Sequence, residues 1–68
     1  MRLSEIRKRR KALGRSISKV SHGAGVNASV LSWVELGRVA ASPAFRSALA
    51  GFYGESEAAL FDDAGFAR

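Results

Sequence analysis

The side chains with chemistry to offer in this 68-residue chain are cations and hydroxyls rather than nucleophiles. Arg7, Lys8, Arg9, Arg10, Lys11 and Arg15 crowd one short segment, and Ala28, Ser29, Ser32 and Trp33 recur at a spacing that places them on one side of a helix. Such a set binds anions and lies against a surface; it does not cleave bonds. There is no cysteine, hence no thiolate nucleophile and no thiolate metal site. The single imidazole, His22, has no neighbouring carboxylate in sequence and is assigned no role, and Asp62 and Asp63 are adjacent in a polar stretch rather than paired across a site. Gly23, Gly25 and Ala28 spell GxGxxA, but that fingerprint requires a preceding strand and a much larger sheet. The expectation is a binding protein with no enzyme activity, no metal and no cofactor.

Two short elements must position these groups. Ser16 is suited to cap a helix over about residues 17–24, which would bury Ile17 or Val20 together with Ala24. Gly25 supplies the left-handed backbone that ends it, and Val26 plugs the angle before Asn27 caps the next helix. That second helix, about residues 28–36, is roughly 15 Å long and turns Val30, Leu31 and Val34 inward. Gly37 stops it. Ala28, Ser29, Ser32 and Trp33 remain outside, where a helix lying in a DNA major groove meets base edges, so they are the expected base readers. For Trp33, partial packing on a neighbouring helix and a protein-partner surface are the competing roles. Phosphate contacts are expected at the start of the first helix of the pair, from the Ser16 hydroxyl and the Ile17 backbone N–H, with Arg10, Arg15, Lys19 and Arg38 contributing charge. Asn27 either bonds phosphate or serves as a plain cap.

Charge is divided along the chain. Residues 1–38 hold nine Lys or Arg against Glu5 and Glu35, a net +7, whereas residues 39–68 hold Arg46 and Arg68 against four acids, a net −2, which makes the overall +5. A positive half and a mildly acidic half suit approach to a polyanion by one face. The length corresponds to one small domain burying about 60% of its unfolded surface, so helix packing and self-association are expected to support it. No apolar run approaches the roughly 20 residues that span a bilayer, and the charged start lacks the apolar core of a signal peptide, so the expected setting is the cytoplasm with no membrane partner.

The run Ser16–Gly37, SISKVSHGAGVNASVLSWVELG, resembles the helix-turn-helix of the lambda-type repressor and Cro family, also called the XRE superfamily. The resemblance is carried by Ser16, the small Ser21, the pair Gly25 and Val26, the aliphatic residues of the second helix, and Glu35 with Gly37. It extends to Leu3, Ile6 and Arg10 in a first helix, and to Ser42–Gly54 and Ser56–Phe61 as a fourth and fifth, covering about residues 2–61. It implies an all-α fold, a compact five-helix lambda-repressor-like DNA-binding domain over residues 1–61, with 62–68 as a short C-terminal tail. By the same resemblance the chain is a small phage- or bacterial-type repressor, occupying double-stranded operator DNA as a homodimer whose reading helices sit about 34 Å apart. Leu3, Ile6 and Leu13 form an apolar stripe that includes Arg10, and an arginine turned inward needs a partner. The family pattern implies an ion pair with Glu35.

Two departures matter. The residue after the first cap is often glutamine in this family, and here it is Ile17, which offers only its backbone N–H. The reading face lacks the long amide or guanidinium groups that make bidentate base contacts; Ala28 suits a thymine methyl, and Ser29 and Ser32 discriminate little, so modest specificity is expected. These departures leave open an alternative, a protein-interaction or partner-assisted, antitoxin-like regulator with weakened readout. Beyond Gly37, Ser42 and Pro43 start a helix whose apolar face is Phe45, Ala48, Leu49, Phe52 and Tyr53, and Leu60 and Phe61 close the core. Phe61 and Phe66 are the candidates for an apolar surface where two chains meet.

Overall fold

The computed structural model describes residues 4–68 and is all-helical. The elements are α1 (Glu5–Ala12), α2 (Ile17–Ala24), α3 (Ala28–Glu35), α4 (Pro43–Tyr53) and α5 (Glu57–Leu60). Leu3, expected on the apolar stripe of α1, lies outside the described residues.

Each helix starts in the same way. Ser4, Ser16, Asn27, Ser42 and Ser56 are all extended, and each side-chain oxygen accepts from the backbone N–H three residues on, at 3.1–3.2 Å. One of the orphan amides at every helix start is thereby satisfied, and loss of such a cap typically costs about 1 kcal/mol. Pro43 stands at the first turn of α4, where a missing N–H costs nothing. Between α2 and α3 the chain reverses within Gly25–Asn27. Gly25, at φ 73°, occupies the left-handed region, and its N–H donates to Ser21 O.

A single core joins all five helices: Ile6 of α1, Val20 of α2, Leu31 and Val34 of α3, Phe45 and Leu49 of α4, and Leu60 of α5, with Phe61 beyond it. α2 packs on both α3 and α4, and α5 bridges α4 to α1. Val20, Leu31 and Val34 are inside as their spacing predicts, and Ile17 and Ala24 are half-buried against them.

Three expectations are corrected by the packing. Leu13 is 55% exposed. It is the C-terminal cap of α1 rather than part of its stripe, and the turn at Gly14 carries it away from the core. Phe61 is only 2% exposed, a core residue, so it is not available as a surface for a second chain. Residues 62–68 are a closing turn rather than a free tail. Phe61 and Ala67 form an antiparallel bridge, Arg68 N–H donates to Leu60 O at 2.9 Å, and Glu5 N–H donates to Arg68 O. Asp62 Oδ1 accepts from Ala64 and Phe66 N–H, and Gly65 O accepts from Ala41 N–H at 2.8 Å. The segment thus ties the start of α1 and the α3–α4 connection to the end of α5. Gly65 is required here. Its φ is 91°, and a Cβ would fall 2.7 Å from Arg46 Nη1 and 2.9 Å from Ala41 O.

Candidate nucleic-acid interface

The outward side of α3 is built from its inward one. Leu31, Val34 and Glu35 are buried, which turns Ser29 and Trp33 out to solvent and leaves Ala28 and Ser32 half-buried on the shoulders. Trp33 is 48% exposed and stands outside the core cluster, so packing does not account for this indole. Serines inside helices often bond back to a carbonyl one turn earlier. Ser21 does so, donating to Ser18 O at 3.0 Å, whereas the hydroxyls of Ser29 and Ser32 make no hydrogen bond among the described residues. Asn27 Oδ1 accepts from Val30 N–H at 3.1 Å, so its carbonyl is used as a cap.

The end of α3 is fastened by an ion pair. Arg10 Nε lies 2.9 Å from Glu35 Oε2 and Nη2 lies 3.1 Å from Oε1, a two-pronged contact, while Nη1 donates to Arg15 O at 3.0 Å. Glu35 is buried and the Arg10 side chain nearly so. The hydrogen bond to Glu35 is the main reason the guanidinium is held above its already high ordinary pKa. With three of its five N–H donors engaged by the protein, Arg10 acts in positioning α3 against α1 and the α1–α2 turn. Tyr53, at the end of α4, stands beside this pair. Burial chiefly, and then the Glu35 charge, pushes its phenol up to about 12, and its hydroxyl has no hydrogen-bond partner among the described residues. Sequence reasoning treated Tyr53 as apolar packing, and no local pattern links it to residues 10 and 35.

The basic cluster of α1 divides by partner. Lys8 and Arg9 both bind Glu5, at 3.0 and 2.9 Å, and Arg9 Nε also faces Glu55 at 3.3 Å. They hold the Glu5 carboxyl below its usual range. Lys11, Arg15, Lys19 and Arg38 are exposed and form no ion pair among the described residues. Lys11, Arg15 and Lys19 follow one another from the end of α1 through the turn into the first turn of α2. Arg38 lies just past α3, its N–H donating to Trp33 O. No acidic residue occurs between Ile6 and Val34, and the carboxylate that follows, Glu35, is neutralised internally. The start of α2 adds to this positive edge. Ser16 Oγ accepts from Lys19 N–H, and the amides of Ile17 and Ser18 have no intrahelical acceptor. The Ile17 side chain packs toward the core, so only its backbone faces outward.

Among the described residues no group of His, Asp and Glu is placed to hold a metal ion. None of the described helices is long and apolar enough to cross a membrane. Large apolar side chains other than Trp33 remain exposed at Leu13, Leu36 and Phe66. Leu36 and Gly37 line one side of a shallow cleft whose other side is Asp62, Ala67 and Arg68, placing Leu36 near the turn that carries Phe66. Comparison with protein-family profiles, characterised proteins and solved structures yields no match.

Proposed function

We propose that this chain is a DNA-binding transcriptional regulator of the lambda-type repressor and Cro kind, without catalytic chemistry of its own. In this reading α2 and α3 are a helix-turn-helix. α3 enters the major groove with Ser29 and Trp33 foremost and Ala28 and Ser32 beside them, and the start of α2 rests on the sugar–phosphate backbone. The observation that carries it is that no acidic residue occurs between Ile6 and Val34, and that Lys11, Arg15, Lys19 and Arg38, which precede and follow the exposed face of α3 in the chain, form no ion pair among the described residues. Lys11, Arg15, Lys19 and Arg38 neutralise phosphates, and the Ile17 and Ser18 amides with the Ser16 hydroxyl supply the oriented contacts. Asn27 serves as the cap of α3.

The operating form is a homodimer. The Cα extents of one domain, 27 × 27 × 21 Å, let two copies side by side present their reading helices about one DNA turn, ~34 Å, apart. Phe66, exposed on the C-terminal turn, is the surface for the second chain. A reading as a protein-interaction or partner-assisted regulator is favoured by one observation, the exposed indole of Trp33 close to Leu36 along the chain.

Selection of duplexes from a random library by the purified protein at physiological salt tests the proposal. Enrichment of a two-fold motif with half-sites about one turn apart is the expected result. Absence of enrichment from a folded protein overturns it in favour of the partner-dependent reading. Lys11, Arg15, Lys19 and Arg38 also set the salt response, with log affinity falling against log salt at a slope of about 0.9 for each phosphate neutralised. An apolar partner surface responds weakly to salt.

A further inference from the structure

Base recognition in the major groove uses a small code, and the atoms exposed on α3 exclude most of it. Adenine is read by a carboxamide that offers both oxygen and nitrogen to one base edge. The only carboxamide in the chain is Asn27, whose oxygen is held by Val30 N–H. Guanine is read by a forked Arg or by Lys, and no Lys or Arg occurs between Lys19 and Arg38, so none stands on α3. Cytosine is read by a carboxylate, and both oxygens of Glu35 are held by Arg10. The hydroxyls of Ser29 and Ser32 are free among the described residues but donate and accept alike. The remaining features are the Ala28 methyl and the exposed Trp33 indole, whose ring face is apolar and whose lone N–H donor cannot make a two-pronged base contact, and the one apolar group a base presents in the major groove is the 5-methyl of a pyrimidine.

We propose that α3 selects DNA by the 5-methyl groups of pyrimidines, packed against Trp33 and Ala28. The inference rests on α3 being a groove helix and adds to it what the helix reads. Thymine and 5-methylcytosine present the same group, so both are ligands in this sense, and unmethylated cytosine is not. Burying one methyl contributes about a fourfold gain in affinity, or ~15-fold for a two-fold site with one such contact in each half.

Trp33 is the only tryptophan, so its fluorescence reports directly from the reading face. The full chain is titrated with an alternating adenine–thymine duplex and the same duplex carrying deoxyuridine for thymine, then with an alternating cytosine–guanine duplex and its 5-methylcytosine counterpart. The methylated member of each pair is expected to bind tighter, by up to ~15-fold on the same estimate, with equal salt slopes within a pair. Trp33→Ala, which has no tryptophan to report and is followed by the anisotropy of dye-labelled duplexes alongside the parent, is expected to shrink the difference within each pair to what the Ala28 methyl alone supplies; an unchanged difference overturns the inference. Equal affinity within both pairs, with binding still salt-dependent, overturns this inference and leaves the regulator reading standing. Discrimination in the thymine pair alone overturns it in favour of recognition of duplex shape. Binding to none of the four duplexes overturns both.

Discussion

Arg10 and Glu35 are twenty-five positions apart, yet their side chains meet in a two-pronged contact that orders the end of α3. An arginine on the inward side of a helix has to be compensated, so the residue types called for a partner, and the resemblance implied that it is Glu35. Removing one member leaves a charge that the surrounding side chains cannot solvate. Glu35→Ala is therefore expected to lower stability by about 3–5 kcal/mol in urea or thermal denaturation. An unchanged midpoint would show that the pair is not structural. Tyr53 responds differently. Its phenol is held neutral up to about 12 against an ordinary 10.0, so the folded protein keeps a proton that the unfolded chain releases. Stability is intact below pH 10 and declines as pH rises toward 12. Tyr53→Phe is expected to remove this alkaline decline without cost near neutrality, because the hydroxyl has no partner among the described residues to lose. Melting temperatures of the two proteins across that pH window check it.

At the level of elements, capping residues carry much of the definition. The bounds of α2 follow from Ser16 and Gly25, and its observed span is the expected one. α3 ends one residue early, at Glu35, with Leu36 as its cap, because the chain turns through Gly37 and Arg38 N–H closes on Trp33 O. Leu13 failed the periodicity argument for a similar reason: α1 stops at Ala12, and spacing along a helix means nothing past its end. The left-handed Gly25 is the joint on which α3 is aimed. Gly25→Ala is expected to cost about 1–2 kcal/mol, since a Cβ at positive φ crowds the following carbonyl even though the site is otherwise open. A chemical-denaturation midpoint reports it, and Gly25→Asn should restore part of the loss.

For the molecule as a whole, the closing turn and the division of charge matter most. Residues 62–68 hold α1, α5 and the α3–α4 connection through backbone hydrogen bonds, so deletion of these residues is expected to lower the melting temperature and expose Phe61. The two phenylalanines once equivalent as dimer candidates separate cleanly. Phe61→Ala should destabilise the fold by about 3–5 kcal/mol. Phe66→Ala, at a site 39% exposed, should leave unfolding nearly unchanged while weakening self-association in sedimentation equilibrium. A Phe66→Ala protein that associates as the parent does would move the proposed dimer contact elsewhere.

Local patterns in the chain were sufficient for the five helices, the inward residues of α2 and α3, and the outward placement of Ser29 and Trp33, because caps, glycines and a 3.6-residue period act over a few neighbouring positions. Which cations are free was not legible. Lys8, Arg9 and Lys11 look alike in a run, and Glu5 on the same helix together with Glu55 in the distant α4–α5 connection separates them. The same holds for Phe61, Phe66 and Tyr53. Their surroundings come from chain segments far away in sequence, and a short run of residues carries no information about what packs against it.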